Sequence, residues 1–428
     1  MSFETISLAG AREKDATDAL RHLREEFFIP QVNGKDAYYF CGNSLGLQPR
    51  STASYIQREL DRWQELGVEG HMVGEEPWMH YHHLLKEPLA KVVGAKPSEV
   101  CAMGSLTANI HQLFASFYRP TATRCKIIAE AKAFSSDQYL LESQIKLQGF
   151  DPDTALIELE PRAGEYYLHT EDILQAISDA GDSLALVFIG GLQYYTGQFF
   201  DVAAITKAAH AQGAYAGFDM AHAAGNYPMQ LHDWGPDFAA WCGYKYLNAG
   251  PGGVAGIFVH ERHANDTSLP RQAGWWGHAE GVRFKMEKGF VPMQGADGWQ
   301  VSNAPVINMA MLRASLELFE KAGGMQVLRR KSLELTGLLE SLLKEIDGFG
   351  KIFRILTPED PEARGCQLSI AFTTRGKECF DHISKAGVIA DWREPDVIRV
   401  APVPLYNTFE DVYQLADLLR EAVSQVRA

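Results

Sequence analysis

An aspartate and a lysine stand at the ends of two apolar segments of the chain. Asp219 follows Ala-Tyr-Ala-Gly-Phe (214–218) and Lys245 follows Phe-Ala-Ala-Trp-Cys-Gly-Tyr (238–244). Burying either charge without a partner is costly, so both residues need a counterpart. Pyridoxal phosphate requires a carboxylate for its pyridine nitrogen and a lysine that forms a Schiff base with its aldehyde. The pair therefore predicts a pyridoxal-phosphate site.

Each residue taken alone has a simpler interpretation. Lys245 could be an ordinary surface lysine, although the glycine-rich segment 248–253 behind it would let the backbone approach a phosphate closely. Asp219 could pair with a helix N-terminus or an arginine, and His222 could be a core histidine. Open α/β sheets bind ligands at the carboxyl ends of their strands, which favours the cofactor interpretation of the pair.

Three further segments could complete such a site. Residues 103–111 could place backbone N–H groups and the Thr107 hydroxyl at a helix start that binds phosphate, or they could be a plain helix cap. Phe134 could stack on a flat ring or belong to the core. Arg399 interrupts an apolar run and suits bidentate capture of a carboxylate, with a salt bridge to another strand as the alternative.

Short apolar runs and helices alternate around these residues, as is typical of a parallel sheet covered on both faces. The predicted strands of this part are 125–130, 184–189, 214–218, 238–242 and 254–260, and its predicted helices are 51–66, 136–148 and the one between Asp201 and Gly213. Beyond about residue 307 the pattern predicts a smaller α+β domain, with helices 309–322, 325–346 and 408–426 and a strand at 367–372. The predicted division is an N-terminal segment packing on the small domain (1–40), a large cofactor-binding domain (41–306) and the small C-terminal domain (307–428).

The bulk composition narrows the class of protein. A chain of 428 residues that is 46% hydrophobic can bury a large core, and its net charge of −14 argues against a nucleic-acid partner. No apolar run approaches the roughly 18–20 residues of a membrane span, and residues 1–5 show no secretory signal. Six scattered cysteines predict free thiols and a cytoplasmic location.

Other cofactor classes find little support. The histidines at 80, 82 and 83 do not have the spacing of a ligand pair on one helix face, so no metal site is predicted. The chain has neither a Gly-x-Gly-x-x-Gly after a strand nor a Walker-type Gly-Lys-Ser/Thr, which argues against nucleotide cofactors.

From about residue 38 to its end the chain resembles the kynureninases, fold-type-I pyridoxal-phosphate enzymes related to the class-V aminotransferases. The strings that carry the resemblance are Cys-Gly-Asn-Ser-Leu-Gly-Leu-Gln-Pro (41–49), Glu-Ala-Lys-Ala-Phe-Ser-Ser-Asp (130–137), Tyr-Thr-Gly-Gln (195–198), Gly-Phe-Asp-Met-Ala-His-Ala (217–223), Tyr-Lys-Tyr-Leu-Asn-Ala-Gly (244–250) and Arg-Val-Ala-Pro-Val-Pro-Leu-Tyr (399–406). The resemblance implies an α/β fold whose large domain has a mostly parallel, seven-stranded type of sheet beside a smaller α+β domain.

The resemblance also implies roles for individual residues. Lys245 would carry the cofactor as a Schiff base, Asp219 would pair with the pyridine nitrogen, and Tyr244 would be the third catalytic residue, as a proton relay. The implied cofactor contacts are Leu106, Thr107, Phe134, Asp137, Asp219, His222, Tyr244, Lys245, Trp275 and Asn303, with Trp275 and Asn303 reaching the site from the other subunit of a homodimer. Where the family often has serine or proline this chain has Gly190, so that side chain is assigned no contact.

The implied reaction is hydrolytic cleavage of the Cβ–Cγ bond of L-kynurenine or 3-hydroxy-L-kynurenine, giving an anthranilate and L-alanine, in tryptophan degradation and NAD biosynthesis. Arg399 would hold the substrate α-carboxylate. Ser44, His71 and Asn303 match positions near the aryl ring in relatives that favour the hydroxylated substrate. The alternatives are another enzyme of the same fold, such as a cysteine desulfurase or an aminotransferase, and a non-enzymatic binding protein on this scaffold.

Overall fold

The computed structural model describes residues 7–427. Residues 1–6 and 428 lie outside the described residues. The prediction of no secretory signal, and the outer ends of two predicted domains, fall on these residues. The helices are α1 (Leu8–Thr17), α2 (Thr52–Leu66), α3 (His83–Val93), α4 (Leu106–Phe117), α5 (Ser135–Leu147), α6 (Pro152–Ala155), α7 (Thr170–Ala180), α8 (Val202–Ala211), α9 (Leu231–Trp234), α10 (Val306–Lys321), α11 (Met325–Lys344), α12 (Gly376–Lys385) and α13 (Phe409–Arg427).

The strands are β1 (Gln31–Val32), β2 (Lys35–Asp36), β3 (Tyr38–Tyr39), β4 (Val100–Ala102), β5 (Lys126–Glu130), β6 (Leu156–Leu159), β7 (Leu184–Gly190), β8 (Tyr215–Asp219), β9 (Phe238–Trp241), β10 (Gly256–Val259), β11 (Phe353–Ile355), β12 (Leu368–Phe372), β13 (Val388–Ile389), β14 (Asp391–Arg393) and β15 (Val397–Val400). Six of them, β5, β7, β8, β9, β10 and β12, follow the predicted apolar runs closely, and the others were not predicted.

Seven strands form the main sheet in the order β4-β10-β9-β8-β7-β5-β6. The pairs β5–β6, β5–β7, β7–β8 and β8–β9 are parallel, and β10 runs antiparallel to both of its neighbours. The predicted α/β fold with a mostly parallel seven-stranded sheet is confirmed. Parallel order places the carboxyl ends of β5, β7, β8 and β9 at one edge of the sheet, where the predicted site residues stand.

Both faces of this sheet are buried, as its continuous apolar runs predict. On β7, Leu186 and Phe188 join the core that contains residues of α4 and α5, whereas Val187 and Ile189 join the core that contains residues of α7 and α8. The two helix layers therefore hold the strand ends rigidly, which a site built from several strands requires.

A second sheet of four antiparallel strands, in the order β11-β12-β15-β14, lies in the C-terminal part of the chain with α11, α12 and α13. A capping box precedes helix α13: the Asp411 N–H donates to the Thr408 Oγ1 at 3.0 Å, and the Thr408 N–H donates to the Asp411 Oδ2 at 3.2 Å. The smaller α+β domain of the predicted fold is thus present.

The N-terminal segment contacts this C-terminal part at two places. The carboxylate of Asp15 in α1 accepts hydrogen bonds from the Phe409 and Glu410 N–H groups at 2.7 and 2.9 Å, and β3 pairs with β13 in parallel. Helix α10 packs against α2 and α3. The division into domains at residues 1–40, 41–306 and 307–428 stays a prediction. Within residues 7–427, no helix combines the length and apolarity needed to cross a membrane.

Candidate active site

The carboxyl ends of neighbouring strands surround a cavity of about 190 Å³. Asp219 ends β8, and Lys245 follows β9 by four residues. The predicted residues that line the cavity are Leu106, Thr107, Phe134, Asp137, Asp219, His222, Tyr244 and Lys245. Residues separated by more than 130 positions in the chain thus share one small cleft.

The Lys245 amine lies at the centre of this cleft. Its Nζ is 2.9 Å from His222 Nε2, 5.9 Å from the centre of the Phe134 ring and 6.0 Å from that of Tyr244. The loop 41–49 holds the segment between β9 and β10 in place, because the Gly46 N–H donates to the Tyr244 carbonyl at 2.8 Å. A Cβ on Gly46 would stand 2.3 Å from the Lys245 carbonyl oxygen, so only glycine lets the loop 41–49 approach this closely.

Asp219 and Asp137 form a buried pair of carboxyl groups that share a hydrogen bond. Burial and the charge of Asp219 raise the pKa of Asp137 well above its usual range, so Asp137 carries the proton and donates it. Burial also raises the pKa of Asp219, but Lys245, the Ala221 N–H at 2.7 Å and Asp137 all oppose that rise. Asp219 is therefore the ionised member of the pair.

His222 and Tyr244 are held in their neutral forms. Burial and the nearby positive charge of Lys245 lower the pKa of His222 well below its usual range, so its ring accepts a hydrogen bond from the Lys245 amine. Burial, with the neighbouring Cys242, raises the pKa of Tyr244. A neutral imidazole and a neutral phenol beside an amine can accept and donate protons in turn.

Opposite the carboxylates, the N-terminus of α4 opens into the cavity. Ser105, Leu106 and Thr107 line the cavity, and the side chain of Ser105 makes no capping hydrogen bond. The plain-cap interpretation of residues 103–111 requires such a bond. Unpaired N–H groups at a helix N-terminus bind phosphate, so this end of the cavity suits an anion.

Arg399 is buried beside the cavity and is already paired. Its Nε donates to the Asp391 Oδ2 at 2.5 Å and its Nη1 to the Tyr194 carbonyl at 2.6 Å, while its Nη2 lies 3.5 Å from the Ser44 Oγ. Asp391 stands directly opposite Arg399 in the β14–β15 pairing. The salt bridge to another strand, one of the two interpretations of Arg399, is thus present, and the carboxylate-binding role stays a prediction.

Comparison with known proteins agrees with this geometry. Residues 328–419 match the model of the kynureninase C-terminal domain. The kynureninase of Flavobacterium johnsoniae is 52% identical over 96% of this chain and 97% of its own. The kynureninase of Myxococcus xanthus is 54% identical over 96% of each chain. The chain belongs to the kynureninase family.

More distant solved structures show the same fold. The cystine C-S lyase C-DES superposes with a TM-score of 0.74 at 18% identity, covering 90% of this chain and 97% of the lyase. A cysteine desulfurase from Thermococcus onnurineus gives a TM-score of 0.74 at 17% identity, covering 95% of this chain and 98% of the desulfurase. Both are less than 25% identical to this chain, so they establish the fold alone.

The cavity of this kynureninase-family chain fits the predicted cofactor. It offers an amine at its centre, an ionised carboxylate in its wall and a helix N-terminus at the other side. Phe134 is 42% exposed and lines the cavity, so it is not a core residue and is free to stack on a ring. The donor set meets the three requirements of pyridoxal phosphate: a Schiff-base amine, a partner for the pyridine nitrogen and a phosphate cradle.

Five predicted residues do not line the cavity within residues 7–427: Ser44 and Arg399, described above, and Trp275, Asn303 and His71. The Trp275 Nε1 donates to the Asn303 Oδ1 at 3.0 Å, and the His71 ring meets Trp78 edge-on at 5.2 Å. For Trp275 and Asn303 this agrees with the implied contribution to a neighbouring subunit, which stays a prediction. His80, His82 and His83 lie near Glu280 and Asp297, and the prediction that they bind no metal also stays a prediction.

Sequence reasoning missed several polar residues in and beside the site. Glu130 and Tyr194 line the cavity, and Arg393 donates to the Asp391 Oδ2 at 2.9 Å, so that Asp391 joins two guanidinium groups. Glu130 carried a usable signal, because it ends an apolar strand run in the same way as Asp219 does. Tyr194 and Arg393 lie outside such runs, and their sequence neighbours give no sign of the site.

Proposed function

We propose that this chain is a pyridoxal-phosphate-dependent hydrolase that cleaves the Cβ–Cγ bond of L-kynurenine and 3-hydroxy-L-kynurenine, releasing an anthranilate and L-alanine. The observation that carries the proposal is the shared cavity of Lys245 and Asp219 in a chain more than 50% identical to kynureninases over almost its whole length. The match covers 97% and 96% of the length of these two relatives.

Lys245, Asp219 and the first turn of α4 would hold the cofactor. Pyridoxal phosphate supplies an aldehyde that captures the substrate amine and a cationic ring that accepts electrons from the substrate carbons. Asp219 favours that cation because it is ionised and buried, where a charge pair is stronger than in water. Asp137 supports this role, since its proton is directed at the Asp219 carboxylate.

Lys245 is the group best placed to move the α-proton of the substrate. Its amine lies 2.9 Å from the neutral His222 ring, whose Nε2 accepts a hydrogen bond from it and holds it in place. Tyr244 is the candidate for the protons of the hydrolytic half, in which water adds to the γ-carbonyl and the Cβ–Cγ bond breaks. Its phenol stays protonated at neutral pH, as a donor requires.

Tyr244→Phe should slow turnover by about 10²–10⁴-fold, the usual contribution of a positioned acid–base group. The aromatic ring and the backbone contact to Gly46 remain, so cofactor content should equal that of the wild type. Steady-state kcat and the bound-cofactor stoichiometry measure the two effects. Loss of cofactor in parallel with activity would assign Tyr244 to cofactor binding instead of proton transfer.

Arg399 is proposed to hold the substrate α-carboxylate. It is buried, its pKa is lowered chiefly by burial, and Asp391 and Arg393 are its charged neighbours. Ser44 at 3.5 Å connects this guanidinium to the loop 41–49. A carboxylate entering here would meet a fixed cationic fork, which selects amino acids over simple amines.

The proposed activity is tested by incubating the cofactor-loaded protein with L-kynurenine, 3-hydroxy-L-kynurenine or L-cysteine. We expect equimolar alanine and anthranilate, or its hydroxylated form, from the first two. Alanine and sulfide from cysteine, with both kynurenines untouched, would instead make the chain a cysteine desulfurase. Turnover of none of the three would leave a non-catalytic binding protein.

The proposed preference is for 3-hydroxy-L-kynurenine, because Ser44, His71 and Asn303 would offer polar partners to a ring hydroxyl. A site built around a hydroxyl rejects the analogue that lacks it, since its polar groups are then left unpaired. The ratio of kcat/KM values for the two substrates measures this preference. A ratio of about tenfold or more in favour of kynurenine would contradict these three assignments.

A homodimer with shared sites is proposed from the exposed apolar surface around Trp275. Trp275, Phe284, Met286 and Val291 are 43%, 54%, 81% and 54% exposed within one segment of this chain, a patch of the kind that marks an interface. Sedimentation velocity should give about 95 kDa, twice the chain mass of 47.5 kDa. The free thiols of all six cysteines support the proposed cytoplasmic location. The proposed role there is in tryptophan degradation.

A further inference from the structure

Glu130 is a buried carboxyl group of the site. It has no role in the proposed reaction, and the resemblance to the kynureninases implied none. It ends β5, next to Gly190 at the end of β7, and β8 with Asp219 lies on the other side of Gly190. It is 6% exposed and lines the cavity. Its Oε2 has no hydrogen-bond partner within residues 7–427. A buried polar atom left without a partner requires an explanation.

Gly190 makes room for this carboxyl group. A Cβ built on Gly190 would stand 3.2 Å from the Glu130 Oε1, closer than nearly all such contacts in proteins. The backbone N–H of Gly190 acts on the same carboxyl group and favours its ionised form. In this chain the glutamate therefore occupies space that a side chain at position 190 would otherwise fill.

The electrostatic surroundings favour a proton on Glu130. The titratable groups that act on it are Asp219 from β8, Asp137 from α5 and Tyr194 from the loop after β7. Burial, followed by the charge of Asp219, raises the pKa of Glu130 to about 8, and only the Gly190 N–H opposes this. Lys245 is the cation that acts on Asp219. If Asp219, Asp137 and Glu130 were all ionised, two of their three negative charges would therefore be left without a compensating cation.

Resting on the proposed function, we propose that Glu130 is a positioning residue for the cofactor: as a neutral acid seated over Gly190, it keeps Asp219 the single carboxylate that acts on the bound ring. Glu130 and Tyr194 also line a second cavity of about 610 Å³. The carboxyl group thus borders both the site and a larger cleft, through which it can exchange its proton with solvent.

The test is a pH titration of the visible absorbance of the holoenzyme from pH 6 to 10 in wild type and Glu130→Gln. Glutamine imitates the neutral acid, so the absorbance spectrum at pH 6.5 should match that of the wild type. At higher pH the wild-type glutamate ionises and its charge stabilises the protonated form of the chromophore. The glutamine variant lacks this charge, and its absorbance midpoint should therefore lie about one pH unit lower, as expected for a unit charge several Å away.

Gly190→Ala tests the contact between position 190 and the Glu130 carboxyl group by changing Gly190 instead of Glu130. Its Cβ displaces the Glu130 carboxyl group, so it should shift the midpoint in the wild-type background and leave it unchanged in the Glu130→Gln background. If Glu130→Gln fails to fold, the Gly190→Ala midpoint alone decides: a shift supports the contact and an unchanged midpoint overturns it. Glu158→Gln on the neighbouring β6 is the matched control, because that glutamate is exposed.

Three results would overturn the assignment. Titrations of wild type and Glu130→Gln that superimpose would show that Glu130 has no influence on the cofactor. A changed spectrum in Glu130→Gln already at pH 6.5 would show that Glu130 is ionised there. An equal effect of Gly190→Ala in both backgrounds would show that it does not act through Glu130. A wild-type protein without visible absorbance would instead refute the proposed function itself.

Discussion

Lys245→Ala should remove the visible absorbance of the holoenzyme and lower turnover by at least about 10⁴-fold, the upper end of what one acid–base group contributes. The amine that forms the Schiff base and the base that moves the α-proton are lost together. His222 loses its partner at 2.9 Å and Asp219 its nearby cation. Absorbance after reconstitution with pyridoxal phosphate, together with anthranilate release, measures both consequences.

Lys245→Arg separates the charge of this side chain from its nucleophilicity. Arginine keeps a cation beside Asp219 but stays protonated and forms no Schiff base, so this variant should be as inactive as Lys245→Ala while melting closer to the wild type. Lys207→Ala on the exposed surface of α8 is the control for loss of a lysine. Persistent absorbance or activity in either Lys245 variant would place the nucleophile elsewhere.

The sequence predicted the centre of the site because one rule applies to its main residues. Asp219 ends an apolar run and Lys245 follows another, and parallel strands place such ends at one edge of a sheet. The runs predicted β5, β7, β8, β9 and β10 within about two residues, since burial on both faces demands continuous apolar sequence. The reversed direction of β10 was not predicted, because an apolar run carries no information about direction.

The remainder of the site depends on contacts that local sequence does not encode. The pairing of Arg399 with Asp391 follows from the register of β14 and β15, and two adjacent short strands can pair in several registers. Phe134 could be core or ring partner by its sequence, and only the open cavity beside it distinguishes the two. Trp275 and Asn303 contact each other in this chain, and their proposed role requires a second subunit.

Glu130 also lies at the carboxyl end of a parallel strand, but it was not predicted as a site residue. It ends the predicted strand 125–130 as Asp219 ends 214–218, but a glutamate at a strand end is usually exposed to solvent. Its burial results from the missing side chain of Gly190 on the neighbouring strand, and the adjacency of β5 and β7 appears only in the folded sheet. Site residues that depend on a glycine of another strand are therefore difficult to find from one sequence.

Asp219→Asn should lower kcat by roughly 10³-fold while the cofactor stays bound through Lys245 and the first turn of α4. A unit charge pair at about 4 Å is worth about 4 kcal/mol at an effective dielectric constant of about 20, and about 1.4 kcal/mol changes a rate tenfold. The asparagine oxygen can still accept the Ala221 N–H, so the local fold should persist. Pre-steady-state measurement of α-proton exchange and the cofactor stoichiometry check the two parts of this expectation.

Asp137 sets the residual activity of that variant. The charge of Asp219 is one cause of the raised pKa of Asp137, so removing it lowers the pKa of Asp137 and allows this neighbour to carry part of the negative charge. Asp219→Asn combined with Asp137→Asn should therefore lose further activity, whereas the surface variant Asp233→Asn should match the wild type. Wild-type α-proton exchange in Asp219→Asn would mean that no carboxylate at this strand end acts on the ring, and the assignment of Asp219 would then be wrong.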